Sequence, residues 1–269
     1  MKSGVTYFSF ARCIIFVLYA IIFLGLNSAA KEPDKLIPFN PGEKLTYQGR
    51  WGTIPAGELT LEVLPKKIVN GVESYHFVMI TKTNPTVDLI YKIRERQDSY
   101  VDVAMTHSIL YRKKTKSKHP RDEILNFNWK KLEVTPTKFG KTKPSIGILP
   151  GTFDPLALYY VIRCQDLKEN SEILVPLTDG KRNIAVRAIV GKRDIIKVGG
   201  KTYAAIEITP DMRMLESLEK NKVVKKGDNA QLKIWVTADK KKIPIKIKTR
   251  VGIISFDFDY VPNRSRTRQ

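Results

Sequence analysis

The stretch Leu232–Lys248, LKIWVTADKKKIPIKIK, decides the fold class. Apolar residues occupy every second position on both sides of a short polar turn that runs from Asp239 to Lys242. An apolar period of two predicts a β-strand with one buried face and one solvated face. Two such strands on either side of a short turn predict an antiparallel hairpin. The stretch therefore predicts an antiparallel sheet with a single buried side.

The same alternation recurs along most of the chain. It is clear in residues 59–63, 75–79, 184–190 and 256–259, and the Asn70-Gly71 pair predicts a tight hairpin turn. About twelve or more strands of this kind cannot stay flat in one sheet. The sequence therefore predicts an all-β, mainly antiparallel fold whose curved sheet closes into a barrel-like or half-barrel form. The pattern does not decide between a closed and a half-open barrel.

One stretch, Phe153–Arg163, breaks the pattern. Asp154 is a good N-cap and Pro155 suits the first turn of a helix, so we predict one main helix from Pro155 to about Leu167. Residues 209–230 are less regular. Within them, Met212–Leu215 fits either a short helix or a strand.

The first thirty residues have the composition of a secretion signal. They carry only two basic side chains, Lys2 and Arg12, and no acidic one, and an apolar run of 14 residues, Cys13–Leu26, follows. A signal peptide needs about 7–15 apolar residues and then small residues before the cut, whereas a membrane anchor needs about 20. We predict cleavage after Ala30 rather than an uncleaved anchor, and hence a periplasmic or otherwise exported protein. Residues 31–262 would form a single β-rich domain, followed by a basic tail at 263–269.

The mature protein would be strongly basic. Without Lys2 and Arg12, 45 Lys and Arg side chains face 27 Asp and Glu, a net charge of +18. The basic clusters lie at predicted turns, loops or the terminus, where they could serve solubility alone. They could also attract lipid headgroups or acidic glycans. No nucleic-acid-binding signature is present, so we expect no nucleic-acid partner.

No motif in the chain specifies a reaction. His76, His107 and His119 lack the spacing of metal ligands, and Cys164, the one cysteine left after cleavage, is more readily a packed side chain than a nucleophile. There is no Gly-x-Ser-x-Gly elbow and no glycine-rich phosphate loop. We therefore predict no catalytic residue, no metal and no cofactor.

Aromatic and arginine side chains are the better candidates for a site. Aromatic walls with a few cations suit an amphipathic, anionic ligand held by a curved sheet. The alternative is ordinary core packing by the rings and surface pairing of Arg94 with Glu95. The candidate ligand-binding residues are Tyr47, Arg50, Trp51, Tyr91, Arg94, Tyr159, Arg163 and Trp235.

Five segments, taken in order, carry a family resemblance: Phe39–Tyr47, Trp51–Gly57, Asp154–Arg163, Leu232–Asp239 and Ile243–Lys246. Together they resemble the uncharacterised exported bacterial domain-of-unknown-function family 3108. The resemblance implies an exported β-sheet protein that curls into a barrel-like form. It implies no reaction.

These observations favour a non-enzymatic binding protein of the cell envelope. Its expected ligand is amphipathic or anionic, such as a lipid, a glycolipid or an anionic glycan. Peripheral membrane contact fits the charge, and no transmembrane segment would remain after cleavage. The main alternative is a scaffold or assembly factor that binds another envelope protein, for example by strand addition at a sheet edge. A polymer hydrolase is the less favoured third hypothesis.

Overall fold

The computed structural model describes residues 37–215, 223–226, 231–251 and 254–262, and these residues form one antiparallel sheet of 16 strands. The predicted signal peptide and the predicted basic tail lie outside the described residues. The strands are β1 (Lys44–Trp51), β2 (Ile54–Val69), β3 (Val72–Thr83), β4 (Arg94–Asp102), β5 (Ser108–Lys116), β6 (Arg121–Asn128), β7 (Glu133–Lys138), β8 (Lys141–Thr142), β9 (Ile146–Gly147), β10 (Glu172–Thr178), β11 (Asn183–Val198), β12 (Lys201–Leu215), β13 (Val223–Lys226), β14 (Gln231–Thr237), β15 (Pro244–Val251) and β16 (Ile254–Val261). The helices within these ranges are α1 (Pro85–Asp88) and α2 (Ala157–Arg163).

The strand order is β10-β11-β12-β14-β15-β16-β1-β2-β3-β4-β5-β6-β7-β8, with β13 beside β12 and β9 beside β7. Within the described residues β8 and β10, at the two ends of this order, do not pair with each other. The two ends nevertheless meet through single contacts. The side-chain amide of Asn183 donates a hydrogen bond to the Gly147 carbonyl over 2.9 Å, and Phe153 forms an isolated bridge with Leu177. The prediction of a curved, mainly antiparallel sheet is confirmed, and the sheet is open rather than closed.

Two local predictions about the sheet are confirmed. Asn70 and Gly71 both have left-handed backbone angles, with φ of 51° and 81°, and they join Val69 to its partner Val72. Two successive positive φ values match the twist of the flanking strands, which is why this dipeptide closes hairpins. The ambiguous stretch Met212–Leu215 is the end of β12, so the strand interpretation is correct.

Helix α2 begins at Ala157, two residues after the predicted start at Pro155, and it is shorter than predicted. The Asp154 carboxylate accepts hydrogen bonds from the backbone N–H groups of Leu156 and Ala157, as the cap prediction required. The helix spans only Ala157–Arg163, against the predicted end near Leu167. It ends early because Cys164 and Gln165 donate to carbonyls three residues back, which tightens the last turn instead of continuing the α-helical ladder.

The helix lies inside the curled sheet and supplies the middle of the hydrophobic core. Every residue of α2 except Tyr159 is buried. The ring of Tyr160 stacks on Phe77 of β3 at a centroid distance of 3.8 Å, and Phe39 meets both rings edge-on. The Asp154 carboxylate accepts hydrogen bonds from Ser99 of β4 and Ser108 of β5, each over 2.6 Å. The helix and the Asp154 carboxylate before it thereby contact three neighbouring strands, β3, β4 and β5.

Candidate functional site

An apolar cleft opens in the middle of the strand order, at one end of the strands β1, β2, β3 and β16. The loop between β3 and β4 borders it. Its volume is about 550 Å³, within the range of sites that bury a small molecule. The lining is almost wholly apolar. We call this site the apolar cleft, and its principal side chains are Trp51, Val87, Ile90, Tyr91, Ile93, Phe256 and Phe258.

Two glycines make room for the floor of the apolar cleft. Gly49 pairs with Phe258 on one side and with Gly57 on the other, and Gly57 pairs in turn with Thr83. A Cβ on Gly49 would lie 3.0 Å from the Phe258 ring. A Cβ on Gly57 would lie only 2.1 Å from the Lys82 carbonyl oxygen, so β2 and β3 can approach this closely only with glycine there.

The outer wall of the apolar cleft is a short, firmly held loop. Asn84 caps α1 by accepting a hydrogen bond from the Val87 N–H over 2.9 Å. The Asn84 side chain also donates to the Pro55 carbonyl, and its backbone N–H donates to the Ala56 carbonyl. Asp88 at the end of α1 forms an ion pair with Arg94 of β4. Hydrogen bonds from Arg94 and from Thr83 lower the pKa of the Asp88 carboxyl.

A second cleft, of about 390 Å³, adjoins the apolar cleft at Tyr91 and Ile93, which line both. We call it the polar cleft, and its other side chains are Glu95, Lys113, Thr115, Ser117, His119 and Arg121. Burial favours the neutral form of Glu95, but Lys113 at 3.1 Å and a hydrogen bond from Thr115 outweigh it and lower the pKa of the Glu95 carboxyl. The polar cleft thus holds one carboxylate beside two basic side chains, Lys113 and Arg121.

A third cleft, of about 510 Å³, lies behind the apolar cleft, on side chains that alternate with those of its floor. Gln48, Glu58 and Lys82 occupy one cross-strand rung there, and Lys82 lies 3.4 Å from Glu58. Its lining is more polar and more open than that of the apolar cleft. We therefore take the apolar cleft as the candidate site.

Four of the eight predicted site residues lie in or beside the apolar cleft. Arg50, Trp51 and Tyr91 line it, and the two rings remain 39 % and 41 % exposed. Arg50 is paired with Asp259 over 2.7 Å. Arg94 adjoins the cleft and pairs with Asp88 rather than with its neighbour Glu95, because successive residues of a strand point to opposite faces.

Tyr47 and Arg163 do not belong to the cleft. The Tyr47 ring is 0 % exposed, its hydroxyl donates to the Pro244 carbonyl over 2.7 Å, and burial raises its pKa well above the ordinary range. Arg163 is 1 % exposed and makes a two-pronged ion pair with Glu43, at 2.6 and 2.9 Å. The polar groups of both side chains bind partners inside the protein, and both side chains are buried. We therefore correct their assignment from ligand residues to core residues.

Tyr159 and Trp235 also lie away from the cleft. Tyr159 packs against the main core, and burial raises its pKa to about 12. Trp235 packs against a smaller cluster with Val198 and Ile245, and the Lys246 ammonium lies 5.9 Å from its ring centroid. The structure therefore divides the predicted set into a cleft group and a core group.

The similarities to known proteins extend over most of the chain rather than over the clefts alone. The family model described as "Protein of unknown function (DUF3108)" matches residues 46–259. The chain belongs to the DUF3108 family. The matched range contains every residue that lines the apolar and polar clefts. No curated protein has significant sequence similarity to the chain.

A solved structure of another protein has a similar fold to this DUF3108 member. It is described as the crystal structure of a "Beta-barrel-like Protein of Domain of Unknown Function DUF1849 from Brucella abortus". The alignment covers 81 % of this chain and 95 % of that chain, with a TM-score of 0.51 and 13 % sequence identity. At this identity the likeness concerns the fold alone.

The histidine and cysteine side chains considered in the sequence analysis lie in separate parts of the DUF3108 fold. His76 stacks on Tyr100 and bonds Asp98 over 2.8 Å, whereas His107 packs edge-on against Trp129. Cys164 is half-buried at the end of α2. Within the described ranges no three His, Cys, Asp or Glu side chains converge as metal ligands would. None of these groups lies in the apolar cleft.

Sequence reasoning missed several lining residues of both clefts. The alternation of Phe256 and Phe258 was visible, but not which strands they would face. Asn84-Pro85 is a helix-start signal, and the apolar run Leu89-Ile90-Tyr91 after it should have indicated a structured loop with exposed apolar side chains. Arg112–Lys118 is one of the basic clusters that the sequence predicts at turns, loops or the terminus, yet most of it lies on β5, which is why Lys113 reaches the polar cleft.

Proposed function

We propose that this protein is an exported, non-enzymatic binding protein whose two adjoining clefts hold one amphipathic molecule with an acidic headgroup. The observation that carries the proposal is that an apolar cleft of about 550 Å³ adjoins a polar cleft of about 390 Å³, with Tyr91 and Ile93 in the lining of both. A single molecule with an apolar body and a charged end matches both surfaces. The predicted signal and the basic charge support an envelope component as that molecule.

The apolar cleft accounts for affinity. Its rings and branched side chains would remove a ligand's hydrocarbon from water, and each buried methylene contributes about 0.8 kcal/mol. Trp51 and Phe256, with ring centroids 6.4 Å apart and planes tilted by 31°, form an aromatic wall along which a chain or ring can lie. No reacting group is needed for this role.

The polar cleft accounts for orientation. Lys113 and Arg121 offer donors to an acidic headgroup, and a charge-assisted hydrogen bond is roughly twice as strong as a neutral one. Glu95 already engages Lys113, so an acidic group would bind chiefly to Arg121 and compete for Lys113. This arrangement favours a singly or doubly charged headgroup over an extended polyanion.

Native mass spectrometry of the mature protein, purified from its own envelope and followed by lipid extraction, tests the proposal directly. We expect one lipid or glycolipid per chain. A wholly unliganded mass would be followed by titration with a fluorescent C18 fatty acid and with lysophosphatidylglycerol. No saturable binding of either, together with the unliganded mass, would reject the proposal.

Two tryptophan variants locate the ligand. Trp51→Ala should weaken the binding of the fatty-acid probe about tenfold, because it removes half of the aromatic wall. Trp235→Ala, a matched removal outside both clefts, should leave the binding unchanged within about twofold, because distant sites act independently. Equal losses in both variants would place the ligand elsewhere.

The alternative, a scaffold that binds another envelope protein by strand addition, has one supporting feature: the edge strand β10. That edge is partly blocked. Phe153 bridges Leu177 and exchanges backbone hydrogen bonds with Pro176 and Thr178, which leaves only the first half of β10 for a partner strand. Cross-linking in the native envelope would reveal such a partner by a reproducible adduct at Leu174.

A further inference from the structure

The mouth of the apolar cleft carries an uncommon concentration of exposed apolar side chains. Leu89, Ile90 and Ile54 are 88 %, 78 % and 53 % exposed, and they stand beside the half-exposed rings of Trp51 and Tyr91. We call these five residues the apolar rim. Scattered exposed apolar residues are normal, but a contiguous group marks a surface that meets a partner.

The apolar rim is held in place rather than loosely exposed. Hydrogen bonds from Asn84 tie the α1 loop to Pro55 and Ala56, next to Ile54. The backbone N–H groups of Ile90 and Tyr91 both donate to the Val87 carbonyl. The fold thus maintains the rim in water, where each such side chain is disfavoured.

Basic side chains adjoin the apolar rim. Lys92 follows it in sequence, and Lys116 pairs in the sheet with Arg94, which binds Asp88 at the end of α1. Within the described part of the chain neither lysine forms an ion pair, although the charge of Lys92 helps to lower the pKa of the Asp88 carboxyl. Asp88 is the one carboxylate in this group, so the three basic side chains outnumber it. The mouth therefore presents apolar side chains beside an excess of positive charge.

We propose that the apolar rim docks on the surface of an anionic phospholipid bilayer, with Ile54, Leu89 and Ile90 inserted at the acyl boundary and the adjoining lysines at the headgroups. This combination of apolar tip and basic flank is how interfacial segments bind membranes. Docking in this orientation would face the apolar cleft toward the lipid. A lipid-like ligand could then enter or leave without crossing water.

Vesicle co-flotation of the mature protein tests the proposal. We expect binding to vesicles of phosphatidylcholine with 30 % phosphatidylglycerol, about tenfold weaker binding to pure phosphatidylcholine, and a steep loss of binding as salt is raised from about 0.05 to 0.5 M. The double variant Leu89→Ser/Ile90→Ser should bind the anionic vesicles at least about tenfold more weakly. Its melting temperature should not change, because both side chains are exposed.

Ile68→Ser is the matched control. Ile68 is 77 % exposed, beside Lys66 and Lys67, at the opposite end of β2 from Ile54. Binding that survives Leu89→Ser/Ile90→Ser and falls with Ile68→Ser would overturn the proposal by assigning the contact to the other end of the sheet. Absence of binding to anionic vesicles at low salt would overturn it too. So would a rim-dependent self-association in light scattering without vesicle binding, because the rim would then be a protein interface.

The proposed ligand site and the proposed membrane surface can be rejected independently, because a different assay tests each. Because Trp51 and Ile90 belong to both the cleft and the rim, each variant is measured with the soluble fatty-acid probe and with vesicles; Leu89→Ser alone, outside the cleft lining, should weaken vesicle binding and leave probe binding unchanged. Vesicle binding without probe binding would retain the docking surface and reject the ligand site.

Discussion

Two regions of the molecule are built from the same ingredients, arginine beside aromatic rings, and yet they have opposite character. Around Arg163, the rings of Phe39 and Tyr160 lie 5.2 and 6.0 Å from the guanidinium, and the whole group is sealed in the core. Around Arg50, the rings of Trp51 and Tyr91 border an open cleft. Composition does not distinguish the two regions. Their internal partners do.

The core region has its polar groups satisfied from within. The Arg163 guanidinium donates hydrogen bonds to the Glu43 carboxylate and to the backbone carbonyls of Pro38 and Lys241, so it joins α2 to two distant parts of the chain. In the cleft region the rings of Trp51 and Tyr91 are partly exposed, and Arg50 forms an ion pair with a single carboxylate, Asp259. A residue of the core group should therefore matter for folding, and a residue of the cleft group for binding.

The largest effect is expected at Asp154. Asp154→Ala leaves the hydroxyls of Ser99 and Ser108 and two helix N–H groups without their acceptor, so we expect a loss of about 3–5 kcal/mol in the free energy of unfolding. Urea denaturation measures it. Asp166→Ala, at a largely exposed aspartate three residues beyond α2, should cost less than about 0.5 kcal/mol. Equal losses at the two positions would show that Asp154 does not fix the helix to the sheet.

A somewhat smaller loss is expected at Arg163. Arg163→Met keeps most of the packing volume but leaves Glu43 without its cation, and breaking a largely buried pair costs about 3 kcal/mol or more. The exposed pair of Arg193 with Glu169 supplies the control, because Arg193→Met should cost at most about 1 kcal/mol. If Arg163→Met were instead neutral in stability but weakened ligand binding, Arg163 would rejoin the cleft group.

Asp98 of β4 is a partly buried carboxylate, less enclosed than Arg163 of the core group and less exposed than the rings of the cleft group. Burial alone would raise its pKa, but hydrogen bonds from His76 and Arg96 lower the pKa to about 2. A lowered carboxyl pKa stabilises the fold above the unfolded-state value near 4, and that stability is lost as pH falls toward 2. Asp98→Asn should therefore cost about 1–2 kcal/mol at pH 7, and the difference from wild type should shrink steadily below pH 4.

Unfolding curves at pH 7, 4 and 2.5 check this expectation. Asp122→Asn, at an exposed aspartate 3.7 Å from Lys114, should show almost no difference from wild type at any of these values. A difference for Asp98→Asn that stayed constant with pH would contradict the assigned protonation.

The smallest stability effect is expected in the cleft group. Trp51→Ala should lower the free energy of unfolding by about 1 kcal/mol or less, because the ring is already 39 % exposed, while it weakens ligand binding. Thermal unfolding without the fatty-acid probe measures the effect on stability, and thermal unfolding with the probe measures the effect on binding. A loss of stability as large as that of Arg163→Met would make Trp51 a core residue and remove the contrast between the regions.

Much of the fold could be predicted from the sequence because its signals are local. Period-two alternation defines β14 and β15, Asn70-Gly71 defines one hairpin, and Asp154 defines the start of α2. Each of these depends on backbone geometry within a few residues. The end of α2 could not be predicted in the same way, since nothing at Cys164 or Gln165 marks the tightened turn.

The site could be predicted only in part because it depends on distant neighbours. Tyr47 and Trp51 lie on one strand and one face, four residues apart, but the bulge after Gly49 and the end of the sheet leave only Trp51 at the mouth. Whether Arg163 meets solvent or Glu43 is decided across 120 positions of sequence. Alternation identifies the buried face of a strand, but not which part of that face another element will cover.

The register between β1 and β16 also affects how the chain folds. Thr46 pairs with Val261, so a strand from the beginning of the domain and one from its end sit side by side in the middle of the sheet. All strands between them must be synthesised before this rung can form, and pairings of such long sequence separation slow folding. Until β16 arrives, β1 and β15 expose bare edges, which are the usual templates for aggregation. The chain is thus most vulnerable late in its maturation and at its centre, and a holding chaperone would be of most use there.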